Sequence, residues 1–205
     1  MTEVATPRID GRTARAERTR NAIVEAHLAL ITEGDLKPTG ERIAERAGVS
    51  LRALWANFRD MEALFAASGA RLSERQDAEF RPVDPELALP RRIEEFCTQR
   101  ARILELIAPS ARAAQLLEPF SAQLRSNRAQ NIARVQREIS ELFSAELDAA
   151  GPAREQLYHS LTVASTWAAW SMLRDELHLN VEDATGVMIR TVTALVATAF
   201  TARLR

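Results

Sequence analysis

Between residues 38 and 58 the chain allows two short helices and very little between them. Thr39 is a good N-cap for the stretch Gly40-Glu41-Arg42-Ile43-Ala44-Glu45-Arg46-Ala47, although Pro38 and Gly40 weaken its start. Ile43, Ala44 and Ala47 face inward. Gly48-Val49 then breaks the helix, and Ser50 caps a further one expected from Leu51 to Asn57. Val49 and Leu54 pin this exposed helix to its neighbours, and Phe58 closes the small core behind it. A preceding helix is expected from Thr13 to Glu33, with Ile23, Ala26, His27, Leu30 and Ile31 on one stripe and Gly34 just past its end. Asp60 caps the next, over Met61 to Phe80.

A short helix, a glycine-containing turn and a second short helix form a helix-turn-helix. The second helix must be short and exposed to enter a groove about 12 Å wide. The alternative is an ordinary αα corner in a helical protein, and spacing alone does not separate the two. The net charge of −1 does not point to nucleic acid, but DNA responds to local charge. Residues 1–59 carry ten basic against eight acidic side chains, and residues 60–205 carry 17 against 20. Lys37 is the single lysine, so nearly every cation is a forked guanidinium suited to phosphate.

The chain of 205 residues is 46% hydrophobic and has 7 Gly and 8 Pro, with Ala, Leu, Glu and Arg prominent. It is expected to be all-α, with about nine helices. Residues 12–62 read as a three-helix helix-turn-helix domain and 63–205 as a larger helical domain. Pro82, Pro85 and Pro90 mark a linker. Helices are then expected over 90–107, 110–117, 119–149, 153–178 and 181–204, separated at Pro109, Pro119, Gly151-Pro152 and Asn180. The single cysteine, Cys97, excludes an intrachain disulfide, and its place on an apolar face suits a core residue. No run of 18 apolar residues implies a membrane span, and no apolar leader core is present; the expectation is a cytoplasmic protein.

Arg20 to Leu64 resembles the tetracycline-repressor (TetR) family. The matching residues are Ile23-Val24, Ala26, Leu30, Glu33-Gly34, Thr39, Ile43-Ala44, Ala47-Gly48-Val49-Ser50, Leu54-Trp55, Phe58 and Glu62-Ala63-Leu64. The resemblance implies a homodimer that binds a palindromic operator in double-stranded DNA, one recognition helix per subunit in the major groove. It also implies that 12–62 is the DNA-binding domain and 63–205 a variable regulatory and dimerisation domain that binds a small-molecule effector and then releases DNA. The family often has Tyr at the place of Trp55, His or Tyr at Asn57 and Lys at Met61, and a basic residue where Glu41 stands. Met61 cannot make the phosphate contact of a lysine.

The candidate DNA contacts are Arg18, Thr39, Ser50, Leu51, Arg52, Ala53, Trp55 and Asn57. Arg52 suits a guanine edge or a phosphate, and Ala53 and Leu51 suit a thymine methyl. Trp55 suits a phosphate contact through its indole N–H, and Asn57 suits a phosphate or adenine. Arg20 is a further phosphate candidate beside Arg18. Arg8, Arg12 and Arg15 belong to a charged arm for which minor-groove insertion is the alternative to a floppy tail.

In the second domain, Ile93, Cys97, Leu104 and Ile107 form an apolar stripe that includes Arg100. A buried arginine needs a partner. That partner is an anionic group in a ligand pocket, or an internal carboxylate, or else the side chain reaches the surface. Phe96, Arg100, Leu104, Phe120, Thr162 and Trp167 are the candidate ligand-binding residues, with Tyr158, His159 and Trp170 as further aromatic or polar groups. Three scattered histidines and one cysteine make no metal site, and no cofactor motif is present.

The last two helices read as a homodimer interface. The final one carries Ala184, Val187, Met188, Thr191, Val192, Leu195, Val196, Ala199 and Phe200; the preceding one has the small residues Ser160, Ala164, Ala168 and Ser171. The function expected is a sequence-specific transcriptional regulator, a repressor released by a small hydrophobic ligand. The alternatives are a helical homodimeric interaction module without DNA and an enzyme on a helical scaffold. For the enzyme there is no nucleophile elbow, phosphate loop or His/Cys constellation.

Overall fold

A computed structural model of the protein describes residues 11–201, with side chains from 13 to 198. Arg8 and the side chains of Arg12, Ala199 and Phe200 lie outside the described residues. Ten α-helices and no strand occur among those described. They are α1 (Gly11–Thr32), α2 (Gly40–Arg46), α3 (Leu51–Asn57), α4 (Met61–Glu79), α5 (Leu89–Leu117), α6 (Ala122–Leu142), α7 (Ser144–Ala149), α8 (Arg154–Ala164), α9 (Trp167–Ser171) and α10 (Val181–Thr201).

The N-terminal half follows its local signals. Thr39, Ser50 and Asp60 each accept a hydrogen bond from a backbone N–H three residues on, capping α2, α3 and α4. Gly34 and Gly48 have φ of 98° and 67°, the left-handed conformation that ends a helix. The amides of Asp35 and Val49 then reach back to the carbonyls of Leu30 and Ala44, each at 3.0 Å. Ile23, Leu30, Ile43, Leu54, Phe58 and Leu64 form the core that joins α1, α2, α3 and the start of α4.

Three interruptions differ from expectation. Pro109 does not end a helix: α5 runs through it to Leu117. An interior proline costs about 3 kcal/mol. Burial of Ile107, Ala108 and Ala113 around it offsets that cost. The segment expected as 119–149 divides into α6 and α7, with Phe143 buried at the joint. The segment expected as 153–178 divides into α8, α9 and a π-helical turn, Met172–Glu176.

The second core lies among α5, α6, α8 and α10, with Phe96, Ile139, Phe143, Leu161, Trp170 and Val192 at its centre. The apolar face of α10 is mostly satisfied within the chain: Ala184, Met188, Val192 and Val196 are buried, whereas Val187 and Thr191 are exposed. On α8, Val163 is exposed and Ala164 packs against the core.

The long helix α4 belongs to both halves. Leu64 sits in the N-terminal core. Further along, α4 is bound to α6 by polar contacts. Asn127 Nδ2 donates to Phe65 O, Gln76 Nε2 donates to Asn131 Oδ1, and Arg134 reaches Asp77 and Ser73.

Candidate DNA-binding face and ligand cavity

Helix α3 rests on α1 and α2 through Leu54, which is fully buried. The opposite face carries Leu51, Arg52, Trp55 and Ala56, all exposed. Ala56 is absent from the candidates named from sequence, although its position one residue after Trp55 places it on this face. Among the described residues Arg52 has no ion-pair or hydrogen-bond partner, and Arg18 on α1 is likewise exposed. Ala53 is partly buried at the edge of the face, and Ser50 Oγ accepts its amide at 3.1 Å.

Several neighbours hold the face in place. The Asn57 side chain is bound to its own helix, Nδ2 donating to Ala53 O at 2.8 Å. Arg20 Nη1 donates to Asn57 O at 2.8 Å, and its guanidinium lies 4.1 Å over the Phe58 ring. Arg20 therefore clamps the end of α3 onto α1. Trp55 is packed over α2: a Cβ at Gly40 would lie 2.7 Å from Trp55 Cζ2. The Glu41 carboxyl is held below its ordinary pKa by its own backbone amide and by the Thr39 hydroxyl. That hydroxyl also accepts the Arg42 amide at 3.4 Å.

A cavity of about 560 Å³ opens between α1, α4, α5, α6 and the start of α9. Its apolar walls include Phe65, Leu72, Leu104, Ile107, Leu124 and Val135, and one branch extends to Gly40 and Trp55. His27 and Ser68 line it and are bonded at 2.8 Å. Burial pushes the His27 pKa down to about 4, so the ring is neutral.

Arg100 also lines this cavity and is only 6% exposed. Its Nη2 donates to Ser165 O at 3.1 Å. That carbonyl is free because the chain leaves helical geometry between α8 and α9, the interruption that sequence periodicity did not show. Arg100 Nε is buried without a partner. Such an orphaned donor costs about 1–3 kcal/mol. Burial pulls the Arg100 pKa below the ordinary arginine value, and Glu138 acts against this electrostatically. The Glu138 carboxyl is itself pushed up by burial, opposed by Arg100 and Gln99. No salt bridge joins Glu138 to Arg100.

Of the other sequence candidates, Leu104, Phe120 and Trp167 line the cavity; Phe120, 88% exposed, stands at its rim. Phe96 and Thr162 do not line it. Phe96 is wholly buried edge-to-face against Phe143, and the Thr162 hydroxyl is turned onto Tyr158 O in its own helix. An apolar stripe identifies a buried face without saying whether that face meets packed side chains or empty space. Sequence reasoning missed Phe65, Ser68 and Leu124. Ser68 had a signal, since it interrupts the apolar run Leu64, Phe65, Leu72 at helical spacing.

No protein-family model matches the chain, and comparison with curated proteins yields no match. Among solved structures, the chain is similar to the crystal structure of a transcriptional regulator from Rhodococcus sp. Rha1, with a TM-score of 0.65 and 18% sequence identity. The match covers 90% of this chain and 97% of that one. The two share an all-α fold over nearly their whole length. No helix among the described residues is long and apolar enough to cross a membrane.

Proposed function

We propose that this protein is a sequence-specific DNA-binding transcriptional regulator of the TetR type, acting as a homodimeric repressor whose palindromic operator is released on binding a small ligand. The observation that carries the reading is the exposed face of α3, where Leu51, Arg52, Trp55 and Ala56 stand clear of the core while α1 and α2 hold the helix from behind. A helix so placed fits the major groove, with Arg52 at a base edge or phosphate and Trp55 against the backbone. Arg18 adds a backbone contact. The Ser50 hydroxyl, accepting Ala53 N, still has its own proton to donate to a phosphate. The Rhodococcus regulator of similar fold supports this assignment.

Helix α4 supplies the coupling. Its first turns pack in the core beneath α3, and Phe65, Ser68 and Leu72 line the cavity. A ligand that alters the spacing of α4 and α6 tilts α4 and carries α1–α3 off their half-site. Dimerisation is assigned to α8 and α10, which leave Val163, Val181 and Val187 exposed.

Selection of bound fragments from a random DNA pool tests the reading. The expected result is a palindrome whose half-sites lie about one helical turn apart, with salt-sensitive binding. Recovery of no common sequence, with retention unchanged in Arg52→Ala, would overturn it.

A further inference from the structure

Resting on the ligand-site reading above, we propose that the cavity takes an organic monoanion, a single carboxylate on an apolar body, with the carboxylate bound by Arg100 beside Trp167. Arg100 is buried and faces the cavity, and a guanidinium has five N–H donors. One of them is used, on Ser165 O. Nε is buried and has no hydrogen-bond partner among the described residues, and Glu138, whose Oε1 is likewise buried without a partner, does not line the cavity; a charged group in such a low-dielectric site calls for an acceptor.

The other charged groups at the cavity are already engaged or stand in water. Arg128 pairs with Glu118 at 2.9 Å, and Arg134 pairs with Asp77. Glu62 accepts the Gln123 amide at 2.9 Å, and Lys37 is exposed. Glu138 interacts with Arg100 at a distance but forms no ion pair with it, and burial favours its neutral form. Among the described residues, Arg100 is therefore the cavity cation that is buried without an ion-pair partner. A single negative charge matches it; a phosphate dianion would bring a second charge with no partner. A carboxylate also fits the planar guanidinium fork.

Trp167 is the independent second observation. Its Nε1 is buried without a hydrogen-bond partner, and the residue lines the same cavity. It lies two residues beyond Ser165, the group Arg100 already holds. The walls supplied by Phe65, Leu104, Ile107, Leu124 and Val135 are apolar, so the rest of the ligand is hydrocarbon or aromatic.

The test uses the full-length protein and two matched pairs of probes, decanoate with decanol and naphthylacetate with naphthylethanol. Binding is read by calorimetry and by tryptophan fluorescence, with Trp167→Phe assigning the change. At least one carboxylate is expected to bind about tenfold or more tightly than its alcohol, the effect of a charge-assisted hydrogen bond. Arg100→Met should abolish the preference while the alcohol's affinity stays within about threefold. Arg100→Lys, which keeps the charge, should retain part of it. Thermal melting of each variant establishes that it is folded. Equal affinity within both pairs, no binding by any probe, or a preference that survives Arg100→Met would overturn the proposal. Carboxylate binding that leaves the protein on its selected DNA supports the carboxylate site and defeats only the release mechanism.

Discussion

Gly69 on α4 and Asn127 on α6 meet so closely that a Cβ on Gly69 would lie 2.5 Å from Asn127 Nδ2. The missing side chain lets Asn127 reach the backbone of α4, where it donates to Phe65 O at 3.1 Å. Gln123 Nε2 holds the Asn127 carbonyl from the other side at 2.8 Å. This junction ties the helix beneath the N-terminal core to the wall of the cavity.

Gly69→Ala is therefore expected to be destabilising, by about 1–3 kcal/mol, even though alanine is the better helix former by about 1 kcal/mol. Asn127→Ala alone removes two hydrogen bonds, to Phe65 O and from Gln123 Nε2, each worth about 1 kcal/mol. The double variant should be more stable than the sum of the two predicts, because the methyl group then occupies vacated space. Denaturant unfolding of the four proteins measures the cycle. Additive effects would mean that the close approach does not constrain the two helices.

His27 makes the fold sensitive to mild acid. Its folded pKa of about 4 lies below the ordinary histidine value of 6.5, so the unfolded chain binds the proton more readily. Stability is then fully present above about pH 6.5 and falls as pH drops toward 4. The loss is on the order of 3 kcal/mol at most. His27→Gln keeps a neutral partner for Ser68 and should flatten the melting temperature across that window relative to the parent. Parallel curves for the two proteins would show that another group carries the acid response.

The N-terminal elements were legible in the sequence because their ends are set locally. Thr39, Ser50 and Asp60 cap helices with their own hydroxyl or carboxylate, and Gly34 and Gly48 adopt a backbone conformation that few other residues tolerate. The second half depends on distant partners. Pro109 reads as a terminator, yet tertiary burial carries α5 past it. The break at Ser165 has no glycine or proline to announce it, and Arg100, 65 residues away in sequence, is what donates to the freed carbonyl. For the same reason the stripe containing Arg100 was visible, but not that Phe96 faces packed aromatic rings while Leu104 faces the cavity.

The buried pair Arg92 and Glu146 should behave asymmetrically under substitution. Each side chain is 9% exposed, and beyond their mutual bond Arg92 Nε and Glu146 Oε2 have no partner. Removing one member strands the other's charge, so Arg92→Met or Glu146→Leu alone is expected to cost about 3–5 kcal/mol. The double variant, which leaves neither charge, should lie within about 1 kcal/mol of the parent or above it. Chemical denaturation resolves differences of this size. A double variant as unstable as the worse single one would show that the Arg92 bond to Pro85 O, at 3.0 Å, matters more than the charge pair.

Gly40 offers a way to disturb the proposed DNA contact without touching a charge. A methyl group there would press on Trp55 Cζ2 at 2.7 Å and on Leu51 Cδ1 at 3.3 Å, the two large apolar side chains of the exposed α3 face. Gly40→Ala should displace the indole and weaken operator binding about tenfold. The salt dependence should stay unchanged, because the indole is uncharged and its displacement alters no charge neutralisation of phosphate. Arg52→Ala makes the contrast: if it meets a phosphate, the slope of log affinity against log salt should fall by about one unit. Combining Gly40→Ala with Trp55→Phe, whose smaller ring makes room for the methyl, should recover part of the affinity. Unaltered binding by Gly40→Ala would show that the position of Trp55 is not read by DNA, and the indole would then serve only to fasten α3 to α2.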